Sequence, residues 1–442
     1  MPTNNPFSVS EQNNAARVYL EETVKNYQNE ADIWSMASDW TDTPINNLGT
    51  QVPLELSPNP SLSVVDLNGG ATPTIGARNL DKMTINYGQL MQGRGFTYEA
   101  LLNNNKETAE DEVMASIESD VKQFMAFLNA YVSRGDGTAG LATISSNYGT
   151  PDNNSARCNG TYDSIGVSQL VVNGYYKFYD ATGATQRTGT VGSGAIQMTS
   201  KDASDANFGS DIPSDVVATD IIVPEIGTTN AATGFIAGLP YIIDSAGTYF
   251  GKARATFTGL QAYENALSGA LTAGSLMSTY EGITQRGGYF KEKLEDSLWI
   301  LLNVSMHQTY YNLALSSGAA IGGLRTIQDT GNNPGLDLGY KNFEFTWFNA
   351  PMKKCNMLRG DEIYFCNPKY FKKAVLKDVG GLAKGIQPEG GVMLVNSDGV
   401  PILTKANYHD FVGQFFSPTP HKLGKISAIQ YSGVITQKAA QV

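Results

Sequence analysis

One stretch of this chain leaves little choice in what it forms. Val113, Ile117, Val121, Phe124, Leu128 and Tyr131 follow one another at steps of 4, 4, 3, 4 and 3. That spacing puts all six on one face of an α-helix about five turns long. Thr108 and Asp111 stand as a capping pair at its start. Glu107, Glu110, Asp111 and Glu112 crowd the first turns, where exposed backbone N–H groups favour negative charge. The ordinary role of those four acids is a solvated, well-capped helix end. Arg134-Gly135-Asp136-Gly137 stops the helix. A helix this regular excludes an all-β fold.

Upstream, residues 1–66 read as an arm and not a domain. Leu20, Val24, Tyr27, Ala31 and Trp34 alternate steps of four and three, which predicts a helix from about Ser10 to Trp40. Gln51–Asn68 is extended and broken by Pro53, Pro58 and Pro60. An amphipathic helix on a proline-rich tether suits docking on another surface, such as a neighbouring copy. Residues 70–104 read as a long two-stranded loop. Met83, Ile85 and Tyr87 alternate with polar residues, the period of a half-buried strand. Gly76, Gly88, Gly93 and Gly95 punctuate the loop, and Arg78, Lys82 and Arg94 make it partly basic.

Downstream, residues 151–255 are rich in Gly, Thr, Ser, Asn and Asp and keep no helical period, which predicts a β-rich insert. Leu170-Val171-Val172 and Tyr175–Tyr179 flank Asn173-Gly174, a strong hairpin signal. Further strands are predicted at Ala195–Met198, Val216–Ala218 and Ile221–Val223. A helix is expected over about Leu260–Thr284, on Leu267, Leu271 and Leu276. Ser297–Val304 is a continuous apolar run of strand length, followed by a helix over His307–Leu315. Such a two-sided apolar strand belongs inside a layered α+β fold. Phe343–Phe348, Glu362–Cys366, Val392–Val395 and Val412–Phe416 complete the predicted strands.

Charge and composition narrow the function. The chain holds 31 Lys and Arg against 42 Asp and Glu, a net charge of −11, with no basic tail. A protein that condenses nucleic acid must replace phosphate counterions with Lys and Arg, so direct base readout is not expected. An acidic wall instead lets duplex DNA slide past. Only 17% of residues are charged, which suits large surfaces that meet protein. Cys158, Cys355 and Cys366 are too few for a disulfide framework and read as buried thiols in a reducing cytoplasm. His307, His409 and His421 are the only histidines. No G-x-S-x-G, H-E-x-x-H or paired C-x-x-C occurs. Gly247-Thr-Tyr-Phe-Gly251-Lys252-Ala253 is one residue short of a phosphate loop and lacks its hydroxyl. No catalytic, cofactor or metal residues are therefore assigned, and an enzyme is not expected. No signal peptide or membrane-spanning run is visible.

The glycine-bounded basic loop, the acid-capped helix and Gly135-Asp136-Gly137-Thr138-Ala139-Gly140-Leu141-Ala142-Thr143-Ile144, in that order, resemble the Hong Kong 97-like family of tailed-phage major capsid proteins. Ser297–Val304, Asp361–Pro368 and Gly399–Leu403 match its later strands more loosely. The resemblance implies an α+β Hong Kong 97-like fold. Its parts would be an N-terminal arm (1–69), an extended E-loop (70–104) and the spine helix with the peripheral domain (105–150). A β-rich insert (151–255), an apical domain (256–410) and a C-terminal return (411–442) would follow. It further implies hexamers and pentamers of this chain enclosing double-stranded DNA, with a portal, a separate scaffolding protein and a decoration or cement protein as partners. The location would be the virion, after assembly in the host cytoplasm. Because only a short arm precedes the loop, no arm cleavage is expected. Lysine–asparagine welding, which some members use, is not carried over to Lys82.

Two contacts between copies are expected on these grounds. Arg78, Lys82 and Arg94 of the loop would dock near Glu107, Glu110, Asp111 and Glu112 of a neighbour. Leu20, Val24, Tyr27 and Trp34 would pack the arm helix between subunits. The alternatives are an encapsulin-like compartment shell, which shares the fold, and a β-rich virion surface or tail adhesin.

Overall fold

A computed structural model describes residues 33–34, 36–40, 44–46, 49–57, 79–97, 124–125, 127–148, 154–158, 167, 170–189, 192–201, 205–225, 231–232, 234–286, 298–303, 306–307, 309–310, 313, 346–347, 350–355, 357–377, 392–395 and 401–430. The predicted helix over Ser10–Trp40 lies mostly outside these residues, but its last part is corrected. Met36 N–H donates to Ile33 O and Ala37 N–H to Trp34 O, closing a turn. The chain then extends as β1 (Ser38–Asp39). Ser38 N–H and Trp40 N–H donate to the carbonyls of Phe371 and Lys373, so the backbone is paired with a distant strand and cannot continue a helix. Trp34 is 2% exposed. Its ring meets Phe411 edge-on at 5.3 Å and Phe415 at 6.4 Å. This part of the predicted arm is built into the chain's own core.

β2 (Pro44–Asn46), β3 (Gly49–Ser57) and β4 (Asn79–Asn86) form an antiparallel three-stranded sheet in that order. Val52, Leu54, Met83 and Ile85 are buried on one face, following the two-residue period. The next strand, β5 (Gly88–Thr97), does not fold back on β4. It pairs with residues 404–413. The expected two-stranded loop over 70–104 is thus corrected: the hairpin is β3 with β4, and β5 belongs to another sheet. Alternation at Met83, Ile85 and Tyr87 reveals a strand but not its partner. A Cβ on Gly88 would lie 2.5 Å from the Phe235 carbonyl oxygen, so a glycine is needed where the chain passes between sheets.

Helix α1 spans 124–134, residue 126 aside, with Phe124, Leu128 and Tyr131 buried as the stripe predicts and Met125, Ala130 and Val132 buried beside them. Gly135 N–H closes it on Tyr131 O at 2.7 Å. Asp136 Oδ1 then accepts from the Thr138 hydroxyl at 2.8 Å and Thr138 N–H at 3.2 Å. Gly137 takes φ +100°, beyond the reach of most side chains. The turn delivers the chain to β6 (Ala142–Thr143).

The predicted β-rich insert is present. β7 (Ser146–Tyr148), β8 (Ser155–Arg157), β9 (Tyr175–Tyr179), β10 (Ile196–Lys201), β11 (Asp205–Phe208) and β12 (Ile221–Pro224) join β6. Their order is β6-β12-β9-β10-β11-β8-β7, with every pairing antiparallel. Two expectations fail here. Residues 170–172 are not a strand opposite β9, although Asn173 does adopt the left-handed turn conformation (φ 68°). The Tyr176 hydroxyl takes both polar groups of Val171, and Lys201 Nζ donates to Leu170 O at 2.7 Å. Side chains have replaced the ladder. Val216–Ala218 is a turn, because Asp220 Oδ2 accepts from Val217 N–H at 2.8 Å and folds the segment on itself.

Next come the short helix α2 (Leu239–Ile242) and a hairpin of β13 (Thr248–Tyr249) and β14 (Lys252–Ala253). Phe250 (φ 44°) and Gly251 (φ 79°) form its turn. The near-phosphate-loop segment is therefore a β-hairpin.

The expected helix over Leu260–Thr284 is half strand. β15 (Tyr263–Gly269) precedes α3 (Ala273–Gln285), which starts on a Thr272–Ser275 capping box. Leu267 and Leu271 have helical spacing but straddle that boundary. β16 (Trp299–Leu302) is the predicted apolar strand, and helix α4 follows, described at 306–307, 309–310 and 313. β17 (Thr346–Trp347), β18 (Ala350–Lys354), β19 (Ile363–Cys366), β20 (Lys372–Lys377), β21 (Val392–Val395), β22 (Pro401–Phe416) and β23 (Gly424–Ile429) complete the described chain. A six-stranded mixed sheet runs β15-β23-β19-β16-β18-β17. A second sheet runs β1-β20-β22-β21, with β5 also on β22. The expected boundary at 410/411 falls inside the unbroken β22 and is corrected. The fold is α+β, as the sequence predicts. Among the described residues no helix is long and apolar enough to cross a membrane.

Candidate assembly surface

The loop, helix and turn that carry the resemblance meet at one junction. Gly135 O accepts from Gly238 N–H at 3.1 Å and Tyr241 N–H at 3.3 Å. A Cβ on Gly135 would lie 2.5 Å from Tyr131 O and 2.7 Å from Ile236 O. Only two glycines facing each other let the end of α1 and the start of α2 approach this closely. Beside them Gln414 of β22 is 2% exposed. Its Oε1 accepts from Ala237 N–H at 2.7 Å and Phe415 N–H at 3.2 Å. Its Nε2 donates to Asn86 O at 2.9 Å and Phe235 O at 3.0 Å. All four hydrogen-bonding positions of the amide are used. One side chain thus ties the foot of the β3–β4 hairpin to β22 and to the segment that packs on α1. A fully satisfied buried network of this kind rigidifies its surroundings.

Arg254 braces the same region from below and is 1% exposed. Its guanidinium donates to the carbonyls of Tyr241, Ile242, Asp244 and Leu260 and lies 4.8 Å from the Tyr249 ring centre. A cation at the C-terminal end of α2 meets carbonyls left over by the helix. Burial lowers its pKa. Tyr249 in turn exchanges two hydrogen bonds with the Ser417 backbone at 3.0 and 2.9 Å.

The β3–β4 hairpin leaves this mount with one face packed in the core. Lys82 is exposed on β4. Its neighbour Asp81 bonds Lys252 Nζ of β14 at 2.6 Å and accepts from Lys82 N–H at 2.7 Å. The Lys252 bond, first, holds the Asp81 carboxyl below the usual carboxylate range. Between the two hairpins and the Asp136–Thr138 turn lies a groove of about 700 Å³, lined by Thr84, Asn86, Tyr87, Tyr241 and Phe250 among others. Arg94 stands in β5 opposite Asn407. Trp34, expected at an inter-subunit contact, is instead enclosed by its own chain. Leu20, Val24, Tyr27, Arg78, Glu107, Glu110, Asp111 and Glu112 lie outside the described residues. Asp81, Lys252, Arg254 and Gln414 were not singled out by the sequence. Asp81 beside Lys82 is a faint signal; a lone glutamine in an apolar strand gives none.

The groups gathered here, the Gln414 amide, the Arg254 guanidinium and the Asp81–Lys252 pair, each tie separate segments of the chain together. Of the three histidines, His307 is pushed down to about 4 by burial and then by Lys354. His421 is also lowered, by burial first and by Lys422 and Arg286 after it. Cys158, Cys355 and Cys366 are buried and form no disulfide, and burial raises the Cys366 thiol. Among the described residues no group of three or more His, Cys, Asp or Glu is placed to hold a metal ion.

No protein-family description matches the chain, and no curated protein matches it by sequence. Solved structures similar to it include three from phages. The cyanophage A-1(L) capsid asymmetric unit shares 10% identity over 89% of this chain and 97% of that one, with a TM-score of 0.48. Gordonia phage Cozz shares 9% over 91% and 87%, with a TM-score of 0.42. Mycobacterium phage Cain shares 10% over 91% and 90%, with a TM-score of 0.39.

Proposed function

We propose that this chain is the major capsid subunit of a tailed double-stranded DNA phage, a Hong Kong 97-like protein that assembles into an icosahedral shell and is not an enzyme. One observation carries the reading. The β3–β4 hairpin, a helix ending at Gly135, a Gly-Asp-Gly turn and the strand after it follow one another in the order that the family resemblance implies, on one mount locked by Gln414. A shell subunit needs such a mount, because a projecting loop can grip a neighbour only if its foot does not yield. Closed assemblies spread their binding energy over many such contacts.

Within this reading, Arg78, Lys82 and Arg94 face Glu107, Glu110, Asp111 and Glu112 of an adjacent copy. Leu20, Val24 and Tyr27 cover a neighbour. Hexamers and pentamers form with a portal, a separate scaffolding protein and a decoration or cement protein. The shell is assembled in the host cytoplasm and encloses DNA without base readout. Electron micrographs and light scattering of the purified full-length chain test the reading: closed particles of megadalton mass are expected. A monomer that stays monodisperse at high concentration overturns it. Arg94→Glu is expected to lower the yield of particles.

A further inference from the structure

The chain is acidic overall, yet two segments remote in sequence carry cations and no acid. Asn367–Lys377 holds Lys369, Lys372, Lys373 and Lys377 with no Asp or Glu. Phe411–Gln430 holds His421, Lys422 and Lys425 with none either. The fold brings these segments side by side. β20 pairs with the end of β22 (Lys372 opposite Phe416), and Lys422 Nζ lies 4.9 Å from the Tyr370 ring centre. Arg286, at the end of α3, is exposed and close enough to His421 to lower its pKa, after burial and alongside Lys422. Lys369 is exposed, and Lys372 and Lys422 are partly so. Among the described residues, Asp39 stands 3.4 Å from Lys373. Lys425 is turned inward and paired elsewhere. In a chain of net charge −11, such a concentration of positive charge is a local reversal of the molecule's own field.

We infer that the patch formed by Lys369, Lys372 and Lys422 beside Tyr370, with Arg286 at its margin near His421, is a contact for the phosphate backbone of duplex DNA. The inference deepens the proposed function by naming the face that meets the packaged polymer. Lysine is a point charge without the planar fork that reads base edges. A patch made mostly of lysines holds phosphates at any sequence. A few such contacts on each subunit order a polyanion against the wall, while the acidic remainder keeps it from adhering.

The test is equilibrium binding of a fluorescein-labelled 30-base-pair duplex to the full-length chain, between 50 and 200 mM NaCl. K369Q/K372Q/K422Q is expected to lower affinity at least about tenfold at 50 mM. The slope of log affinity against log salt should flatten by about 2.7, three contacts at about 0.9 each. Lys373 is left in place because it pairs with Asp39. K353Q/K354Q removes two exposed lysines from the opposite edge of the six-stranded sheet and is expected to leave the slope unchanged. If the triple variant does not fold, K372Q and K422Q singly should each flatten the slope by about 0.9. An unchanged slope overturns the inference, as does an equal loss in K353Q/K354Q, which would make net charge the whole effect. Displacement of the duplex by polyglutamate at equal charge concentration also overturns it, since the surface would then be one for acidic polypeptides. Micrographs of the same samples keep the two readings apart. Shells without duplex binding reject this inference alone; duplex binding without shells rejects the capsid reading alone.

Discussion

The two largest sheets solve the same problem in opposite ways. The seven-stranded sheet is assembled from residues 142–224, entirely antiparallel, and three of its six pairings (β7–β8, β9–β10, β10–β11) join strands close in sequence. Its ion pairs keep one partner wet: Arg187 with Asp220 at 2.8 Å and Arg157 with Asp205 at 3.6 Å. The six-stranded sheet sets residue 263 beside 424 and residue 302 beside 354, with two parallel pairings, and takes charge into its interior. Lys425 Nζ lies 3.3 Å from Glu264 and 3.7 Å from Glu362, with Arg359 3.9 Å from Glu362 on the outer side. Ser245 and Ser427 each donate to Glu264 at 2.9 Å, and the buried Tyr364 hydroxyl donates to Glu362. A sheet with distant partners needs its register specified, and a buried charge that fits only one register does so. Where strands are joined by short connections, as β7–β8 and β10–β11 are, the turn itself sets the register.

The comparison breaks most sharply at Lys425. Lys425→Met removes the cation shared by the buried Glu362 and the partly exposed Glu264 and is expected to cost about 3 kcal/mol in urea unfolding. Replacing all three (E264Q/E362Q/K425M) should recover most of that loss if the cluster specifies register more than it stabilises. A triple variant as unstable as the single one would show that the charges themselves hold the sheet together.

Acid sharpens the contrast. Both His307 and His421 have pKa values lowered in the fold. His307 follows β16 and faces Lys354; His421 precedes β23 and faces Gly259 O, Lys422 and Arg286. A histidine whose folded pKa is depressed contributes its stability fully above the unfolded value near 6.5. That contribution is lost as pH falls toward the folded value, about 4 for His307. Between about pH 6.5 and 4 the six-stranded sheet should therefore lose about 2 kcal/mol, discounted for partial water contact. Hydrogen exchange at pH 7 and pH 5 should show faster opening of β16 and β23, with β9 and β12 unchanged. Equal acceleration in both sheets would remove the distinction.

How much was legible follows from the same difference. α1, its stop at Gly135 and the apolar β16 were readable because each is set by residues within a few positions: a stripe, a glycine, an unbroken apolar run. Strand pairing was not. β4 and β5 are consecutive, and alternation at Met83 and Ile85 cannot say that their partners are β3 and β22. Asn173-Gly174 does turn, but Tyr176 and Lys201 take the backbone groups that a hairpin needed. Leu267 and Leu271 imitate a helix across the boundary where Thr272 begins the real one. Of the candidate contact residues, the sequence supplied charge but no geometry. It pointed to Lys82 and passed over Asp81, whose bond to Lys252 ties β4 to β14. Gln414 has no local signature, because three of its four partners, Asn86, Phe235 and Ala237, are far from it in sequence.

Within the seven-stranded sheet the two ion pairs grade the rule that exposure weakens charge. Asp220 is 1% exposed on its side chain and also caps Val217. Arg187→Ala should strand that carboxylate at about 1–2 kcal/mol, read as a drop in melting temperature. Arg157, 45% exposed on its side chain, pairs with Asp205 on neighbouring strands β8 and β11. Arg157→Ala should cost less than about 0.5 kcal/mol, and 0.5 M NaCl should erase even that. A loss as large as at Arg187 would mean that this sheet, too, depends on charge for its register. The two sheets would then differ in connectivity alone.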